Sequence, residues 1–271
     1  MSRTRWDQLD GLRTDRLDAV FSYYDAQTDD ARLTRSVLAS ARELGADVIT
    51  AAEFTRADLA SDKVSVNYVN NGSTKAVVAR ALVNAAGPWI NQVQAKIYQS
   101  SGERVATYDM ELVQGTHIVV AGEIAHPYYL EAPQDGRAVF VLPWKNNIMV
   151  GTTESHYQGD PARVRPLAAE IDYLLEIYNY YFNRSLERDE VVESFAGLRV
   201  LPGGRGDAFN KSRDSHFLQD NARQPRLVSI YGGKLTSYRA ASDSVLASLR
   251  KTLPAATRLA RTCKLGLPVI D

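Results

Sequence analysis

Leu82-Val83-Asn84-Ala85-Ala86-Gly87-Pro88-Trp89 is the stretch that best indicates the fold class. Its apolar start is typical of a buried strand, and the small residues that follow lead to Pro88, which suits the first position of a helix. The stretch therefore predicts a turn from a strand into a helix. Backbone N–H groups and the helix dipole at such a turn favour an anion or an electron-rich ring edge.

Two further glycine turns are predicted nearer the carboxyl end. The apolar run Leu227-Val-Ser-Ile-Tyr precedes Gly232-Gly233-Lys234, and a helix face then follows at Leu235, Tyr238, Ser242, Val245 and Leu249. The other turn is predicted at Gly197-Leu198-Arg199. Glycine lets a ligand approach the backbone. For any one of these turns taken alone, however, an ordinary connection between secondary-structure elements is the simpler explanation.

The segments between these turns predict an α/β chain with a mainly antiparallel sheet. The turn signal Asn70-Asn71-Gly72 predicts a hairpin between strands at 64–69 and 75–84. Successive strands over 105–155 have short connections, which favour antiparallel pairing. Apolar residues at helical spacing over about 164–182 predict an amphipathic helix packed on that sheet.

The amino-terminal part of the sequence divides at about residue 25. The first 24 residues show little apolar periodicity and are predicted to be a tail or linker, with neither a signal peptide nor a spanning segment. A helix is predicted over 28–44, because Asp29 and Asp30 suit a first turn and Gly45 suits the end. The single Cys263 offers no disulfide and no zinc spacing, so a reducing, cytoplasmic compartment is expected.

Composition restricts the classes of partner. Of 271 residues, 45% are hydrophobic, and 32 Lys and Arg residues balance 32 Asp and Glu residues. No global field favours nucleic acid, and we expect no nucleic-acid partner. Any anion must therefore be bound by a local group of residues.

His117, Thr152 and Thr153 are candidate groups for chemistry at or near strand ends. His117 lies in the strand-like Gln114-Gly-Thr-His-Ile-Val-Val and could take a proton from a substrate hydroxyl near neutral pH. A hydrogen-bonded histidine within a sheet is the alternative explanation. The two threonines follow Gly151 and could donate hydrogen bonds or merely end the strand.

Three cations are candidates for binding an anion. Arg199, Arg213 and Lys234 lie in or close to glycine-rich segments, and together they could hold a dianion through bidentate and point-charge contacts. Ordinary solvated charge is the alternative explanation, since it is the commonest environment of Arg and Lys.

A series of segments, in this order, resembles the flavin-dependent glycerol-3-phosphate dehydrogenases. The segments are Gln27-Thr-Asp-Asp-Ala-Arg-Leu, Leu82-Val-Asn-Ala-Ala-Gly-Pro-Trp, Gly115-Thr-His-Ile-Val-Val, Phe140-Val-Leu-Pro-Trp, Gly151-Thr-Thr-Glu, Ala196-Gly-Leu-Arg-Val-Leu-Pro, Ser212-Arg-Asp and Tyr231-Gly-Gly-Lys-Leu-Thr-Ser-Tyr-Arg. One short match is weak, but the shared order over residues 20 to 255 makes the resemblance strong.

The resemblance implies a fold like that of the D-amino-acid-oxidase group and gives each candidate a role. His117 matches the family's active-site histidine, with Arg199 and Lys234 also at the reacting centre. Substrate binding is implied for Thr152, Thr153, Arg199, Arg213 and Lys234. Contacts to FAD are implied for Ala86, Gly87, Trp89, Gly197, Gly232, Gly233, Leu235 and Thr236. The implied substrate is glycerol 3-phosphate, and the implied electron acceptor is a membrane quinone.

The resemblance also implies a division into interleaved domains. It implies a tail or linker at 1–24, a partial, Rossmann-like FAD-binding domain at 25–104, a substrate-binding domain at 105–195, and a return to the FAD-binding domain with a final helix at 196–271. The family's opening G-x-G-x-x-G segment has no counterpart in the printed sequence. We therefore expect an internal portion of such an enzyme, without tightly bound FAD. Peripheral contact with the inner membrane face and dimer formation by an exposed sheet edge are further expectations.

Two other functions remain open from the sequence. A related FAD-dependent amino acid or hydroxy acid oxidase would need only a carboxylate clamp, whereas three basic residues favour a phosphate. A catalytically inactive ligand-binding or interaction module is the other alternative, because of the missing glycine fingerprint.

Overall fold

The chain folds into two compact units, each built from separated stretches of sequence. The computed structural model describes residues 3–15, 17–203 and 213–270. Unit 1 comprises Met1–Tyr24 and Met110–Lys211, and unit 2 comprises Asp25–Asp109 and Ser212–Asp271. The two units are therefore interleaved in sequence.

Helices are interspersed among runs of strands along the described parts of the chain. In chain order they are α1 (Asp30–Glu43), β1 (Ala52–Leu59), β2 (Val64–Asn70), β3 (Ser73–Ala79), β4 (Leu82–Asn84), α2 (Ile90–Gln94), β5 (Ile97–Gln99), β6 (Met110–Ala121), β7 (Tyr128–Glu131), β8 (Ala138–Trp144), β9 (Asn147–Gly151), β10 (Ser155–Tyr157), α3 (Ala168–Tyr181), β11 (Val191–Pro202), β12 (Ser215–Gln219), β13 (Leu227–Gly232) and α4 (Tyr238–Leu249). The predicted α/β class is confirmed.

Unit 1 is built on a six-stranded antiparallel sheet with β6 at its centre. Strand β11 pairs along one side of β6, and β9 and β10 pair with successive parts of its other side. Helix α3 covers one face, where Leu174 and Ile177 are fully buried in the same core as Ile118 and Val150. The antiparallel strands and the long amphipathic helix predicted for this region are confirmed.

Residues 1–24 are not the predicted tail or linker. Leu9 and Leu12 are buried in the core that α3 covers, with Trp6 packed against it. The backbone N–H of Arg13 also donates to the carbonyl of Tyr181 at 2.7 Å. The segment begins with a 3-10 helix over Arg3–Gln8. The prediction was wrong because the few apolar residues of this segment pack against partners far along the chain, which local periodicity does not reveal.

In unit 2, the predicted hairpin and first helix are confirmed. Strands β2 and β3 pair across a turn in which Asn71 and Gly72 have φ of 50° and 73°. Asp29 caps α1 by accepting a hydrogen bond from the N–H of Arg32 at 2.9 Å. Strand β1 was missed by sequence reasoning, because the charged side chains of Arg56 and others interrupt its apolar pattern.

The run 75–84, predicted as one strand, is divided between two sheets. Strand β3 belongs to a four-stranded sheet of order β3-β2-β1-β5, whereas β4 belongs to a three-stranded sheet of order β12-β13-β4. Arg80 lies between these two strands in sequence, and the buried Arg226 donates from Nη1 to the carbonyl of Arg80 at 3.0 Å and from Nη2 to the carbonyl of Ser61 at 2.7 Å. Local periodicity does not reveal a buried charged donor of this kind, so the division of the run was not predicted.

Both predicted strand-to-helix turns, at Gly87 and at Gly232-Gly233, follow strands of the three-stranded sheet. Strand β13 is parallel to β4 and antiparallel to β12. Helix α4 packs Val245 and Leu249 against Val228 of β13. Among the described residues, no helix is both long and apolar enough to cross a bilayer.

One predicted domain boundary and one predicted turn need correction. The domain boundary at 195 falls inside β11, and the chain leaves unit 1 only after Lys211. Gly197 lies in the same strand, so the predicted glycine turn there is wrong. Residues 204–212, in the glycine-containing segment before Arg213, lie outside the described residues.

Candidate functional site

One face of the unit 1 sheet gathers several predicted site residues. Register pairs Gly115 with Gly197 and His117 with Phe195, and Arg199 lies two residues beyond Gly197. Since side chains alternate between faces along a strand, these five residues share one face, and α3 covers the opposite one. We call this set the site face. Its two facing glycines leave a floor without side chains between an imidazole and a guanidinium.

The His117 ring is fixed by close neighbours on both sides. A Cβ on Gly151 would lie 2.6 Å from Cγ and 2.8 Å from Nε2 of His117, so only glycine leaves room for the imidazole. On the other side, the ring of Phe195 stacks on His117 with centroids 5.1 Å apart and planes 7° apart. The imidazole is half-buried and held in one orientation, which suits a group that must accept a proton at a defined point.

Arg199 is held by a buried carboxylate. Its Nη1 donates to Oε1 of Glu154, whose side chain is 8% exposed. Nη1 of Arg137 donates to the backbone carbonyl of Glu154 at 2.8 Å. A Cβ on Gly115 would lie 3.1 Å from Nη2 of Arg199 and 2.6 Å from Oγ1 of Thr152. Gly115 therefore allows the guanidinium and the threonine hydroxyl to approach the strand closely.

The two threonines have different environments. The half-buried Thr152 donates its hydroxyl to the carbonyl of Thr153 at 3.2 Å. Thr153 is 4% exposed, accepts from the N–H of Thr116 at 2.9 Å and donates to Oε1 of Glu170 at 3.1 Å. A hydroxyl has one proton to donate, and that of Thr153 goes to Glu170. The prediction that Thr153 donates to substrate therefore needs correction, since this residue is part of the support.

In unit 2, the two strand-to-helix turns lie at one sheet edge. Strands β4 and β13 are parallel neighbours, so the segments that follow them start at the same edge. In open α/β sheets, ligands bind outside the carboxyl ends of parallel strands. Gly87, Gly232 and Gly233 have φ of 54°, 70° and 95°, a conformation that glycine adopts at little cost. The predicted cofactor contacts at this edge are Ala86, Gly87, Trp89, Gly232, Gly233, Leu235 and Thr236, and among them Trp89, Leu235 and Thr236 are exposed.

A buried amide network fixes both turns. Nδ2 of Asn84 donates to Oε1 of Gln94 at 3.1 Å, and its Oδ1 accepts from the N–H of Ala86 at 3.3 Å. The hydroxyl of Ser229, on β13, donates to the same Gln94 oxygen at 2.7 Å. Each turn is thus tied to one shared glutamine. Sequence reasoning missed this network, since Asn and Gln give no periodic signal.

Arg213 and Lys234 lie together at a pocket of unit 2. The pocket has a volume of about 270 Å³, and its polar lining includes Arg213, Asp214, Ser215, Lys234, Ser237 and Ser244. Two cations against one carboxylate, with three hydroxyl donors, suit a small anion. Arg199, the third predicted cation, lies on the site face of unit 1.

Four further residues of unit 1 escaped sequence reasoning as site residues. Gly115 and Gly151 make room for site side chains, and Glu154 and Glu170 hold them. Glycine inside a strand often marks a close approach, so both glycines carried a usable signal. The glutamates did not, because nothing in the local pattern distinguishes a buried acid from an exposed one.

Comparison with known proteins gives concordant matches. The family model described as FAD dependent oxidoreductase matches residues 2–239. A glycerol-3-phosphate dehydrogenase from Pseudomonas aeruginosa is 37% identical over 236 residues, which are 85% of this chain and 45% of that protein. Its counterpart from Pseudomonas tolaasii is 36% identical over 236 residues, 84% of this chain and 45% of that protein. The chain thus spans about half the length of these relatives.

A solved structure agrees with these matches. The glycerol-3-phosphate dehydrogenase from Bacillus halodurans complexed with FAD superposes with a TM-score of 0.77 at 28% identity, covering 98% of this chain and 50% of that one. These matches confirm the resemblance that was inferred from the order of short segments in the sequence.

Proposed function

Because the chain belongs to the FAD dependent oxidoreductase family, we propose that it is part of an enzyme that oxidises sn-glycerol 3-phosphate to dihydroxyacetone phosphate. The observation that carries the proposal is the site face of unit 1. There, an oriented imidazole and a held guanidinium flank a floor without side chains. A base and a positive charge in such an arrangement suit the oxidation of an alcohol.

The site face supplies the proton chemistry. His117 accepts the proton of the C2 hydroxyl, in the orientation set by Gly151 and Phe195. Arg199 stabilises the negative charge that develops on the same oxygen, since Glu154 fixes its guanidinium. When bound, FAD supplies the acceptor for the hydride from C2. Thr152 offers a further hydroxyl on this face.

The residues of unit 2 fit contacts to FAD. Turns with left-handed glycines follow two parallel strands, and a Cβ on Gly87 would meet no atom within 4 Å, so a ligand can approach its backbone. Ala86, Gly87 and Trp89 would contact the cofactor from one turn. From the other turn, the contacts would come from Gly232, Gly233, Leu235 and Thr236. Gly197, in unit 1, is a further proposed contact to FAD, since a Cβ there would meet no atom within 4 Å.

The pocket of Arg213 and Lys234 suits the phosphate of the substrate. A phosphate monoester carries close to two negative charges near neutral pH, which matches two cations. An amino acid or hydroxy acid offers a single carboxylate, so the pocket favours the phosphate ester over those substrates.

Acceptor, location and assembly extend the same proposal. Electrons would leave to a membrane quinone, so the protein would work in peripheral contact with the inner face of the membrane. The outer edges of β12 and β4 have no further strand partner among the described residues, and edge pairing between two copies would give a homodimer. A monomeric mass by light scattering would exclude the dimer.

The proposal is tested with the protein that carries this chain, assayed with FAD and a dye as artificial electron acceptor. We expect dye reduction to depend on glycerol 3-phosphate and not on glycerol, lactate or amino acids. Arg213→Ala should raise KM by at least about tenfold, which corresponds to about 1.4 kcal/mol of lost binding. Arg223→Ala is the matched control, since Arg223 is exposed in the loop at the other end of β12 and β13. Absence of turnover, or an unchanged KM in Arg213→Ala, contradicts the proposal.

A further inference from the structure

Glu170 is a buried acid at the beginning of α3. It occupies the third position of the helix, and its Oε2 accepts from the N–H of Leu167 at 3.1 Å, as a capping glutamate does. A capping glutamate needs only that bond and commonly lies in solvent. Glu170 is instead 6% exposed, on the sheet face opposite His117. Helix capping therefore does not account for its burial.

Four side chains of the sheet donate to the same carboxylate. Oε2 accepts from Oγ1 of Thr116 and Nε2 of Gln114, both at 2.6 Å. Oε1 accepts from Oγ of Ser155 at 2.8 Å and Oγ1 of Thr153 at 3.1 Å. Burial alone would raise the pKa of Glu170, but these donors and the Leu167 N–H outweigh it and hold the pKa below its usual value. The group is an ionised centre of a closed polar network.

The donors come from β6, which carries part of the site face, and from the segment that carries Glu154, the partner of Arg199. Gln114 and Thr116 alternate with Gly115 and His117 along β6, so they point to the opposite face. On the other segment, Thr153 and Ser155 flank Glu154, which holds Arg199.

Between β9 and β10, residues 152–154 leave the ladder with β6. Strand β9 pairs with β6 up to Gly151, and β10 resumes pairing at Ser155. The interruption is bridged by a backbone hydrogen bond from Thr153 N–H to the carbonyl of Thr116 at 3.3 Å and by hydrogen bonds from Thr116 N–H to Thr153 Oγ1 and from Thr153 Oγ1 to Glu170. The carboxylate thus fixes the Thr153 side chain that joins residues 152–154 to β6.

We propose that Glu170 is a positioning residue for the oxidation. It acts through Thr153 and Thr116 on the site residues, which lie on the other face of the sheet. It rests on the proposed function. Its charge holds residues 152–154 in register with β6, the strand that carries His117. Residues 152–154 include Thr152 and Glu154, the partner of Arg199. The expected effect falls on the chemical step, because the hydrogen-bond partners of Glu170 are the supports of the site face and do not include Arg213 or Lys234, the residues proposed to bind the phosphate.

Glu170→Gln tests the inference in the protein that carries this chain. Glutamine keeps the shape but replaces one acceptor oxygen with a donor, so one or more of the five donors loses its partner. We expect kcat for glycerol 3-phosphate to fall at least tenfold, toward the roughly 100-fold that a 1 Å misplacement costs, with KM nearly unchanged. The measurement is made well below the melting temperature of each variant, so that every sample is folded.

Glu190→Gln is the matched control. Glu190 accepts from the N–H of Glu187 at 2.9 Å as another capping glutamate of unit 1, and its side chain also accepts from Nη2 of Arg184 at 2.7 Å, outside the network. This variant should keep kcat and KM. If Glu170→Gln does not fold, Thr153→Val removes the same link and should lower kcat in the same way.

Two negative results have different meanings. If the wild-type protein does not oxidise glycerol 3-phosphate, the proposed function is wrong. If the wild type is active and Glu170→Gln or Thr153→Val has the kcat of Glu190→Gln, or changes KM alone, the positioning role of Glu170 is wrong and the proposed function stands.

Discussion

The two units hold their functional groups in different ways. In unit 1, His117 and Arg199 project from strands and are fixed by a glycine, an aromatic ring and a buried carboxylate. In unit 2, Lys234, Leu235 and Thr236 are exposed on a turn that follows a strand. A side chain that transfers a proton requires a fixed position, whereas a cofactor edge can be recognised by backbone groups. The difference in support therefore follows from the chemistry proposed for each unit.

The units also differ in their cores. Among the described residues, unit 1 has one large apolar cluster formed between its sheet and α3. The buried residues of unit 2 form smaller separate clusters, one under the four-stranded sheet and one under α4. We infer that unit 1 is the more cooperative and more stable support.

Core truncation is expected to give the largest effect. Leu174→Ala, in the unit 1 cluster, should lower the free energy of unfolding by about 2–5 kcal/mol. Leu249→Ala, in the small cluster under α4, should have an effect at the low end of that range, since fewer neighbours lose contacts. Urea unfolding followed by hydrogen exchange of each unit measures both. A larger loss in Leu249→Ala would reverse the inferred order of stability.

Gly151→Ala should have the next largest effect. The added Cβ overlaps the His117 ring, and overpacking of this kind costs about 1–3 kcal/mol. Gly197→Ala, on the same face, meets no atom within 4 Å and should change the unfolding free energy by less than about 1 kcal/mol. Urea unfolding compares the two variants. Equal losses would mean that space for the imidazole is not what requires glycine at 151.

Gly87→Ala tests a second reason for glycine, which is backbone conformation and not space for a neighbouring side chain. Here space is open, but φ is 54°, and a left-handed conformation costs an alanine about 1–2 kcal/mol. Gly87→Asn should recover part of that loss, because asparagine tolerates this conformation. Thermal and urea unfolding of unit 2 provide the measurement. If alanine and asparagine have equal effects, backbone conformation is not the reason for glycine at 87.

Lowering the pH should decrease the free energy of unfolding of unit 1 gradually. This is the smallest of the expected effects. Burial would raise the pKa of Asp10, but hydrogen bonds from Ala125, Tyr128 and His126 outweigh it and lower the pKa. Like Glu170, Asp10 therefore stabilises the fold above the carboxyl pKa of the unfolded chain, about 4. This contribution is lost as pH falls through the lowered pKa of the folded state.

Asp10→Asn checks this dependence. The variant should be less stable than the wild type at pH 7, and the difference should shrink as pH falls below about 4. Urea unfolding at a series of pH values gives the comparison. A difference that is constant with pH would show that Asp10 does not titrate with folding.

Local signals in the sequence account for much of the fold. The cap at Asp29, the Asn70-Asn71-Gly72 turn and the apolar spacing of α3 each predicted an element that the structure contains. Prediction was wrong where a distant partner decides, as where Arg226 binds the carbonyl of Arg80 and ends a strand. The same limit applies to residues 1–24, whose core contacts lie far along the chain.

The candidate site shows the same division. His117, Arg199 and Thr152 were predicted from residue type and order, and the structure places them on one face of the unit 1 sheet. Arg213 shares a pocket with Lys234, whereas Arg199, which was predicted to hold an anion together with them, belongs to unit 1. The supporting residues were not predicted, because the burial of Glu154 and Glu170 depends on pairing between strands that are distant in sequence. Gly197 was predicted in a turn but lies in a strand.

The most direct test of the account is calorimetric titration of the protein that carries this chain, first with FAD and then with glycerol 3-phosphate, with glycerol as the matched ligand. The account predicts that glycerol 3-phosphate binds in the presence of FAD with a Kd at least about tenfold below that of glycerol, a difference of about 1.4 kcal/mol. If neither FAD nor the phosphate ester binds, or if glycerol binds as well as its phosphate, the account is contradicted.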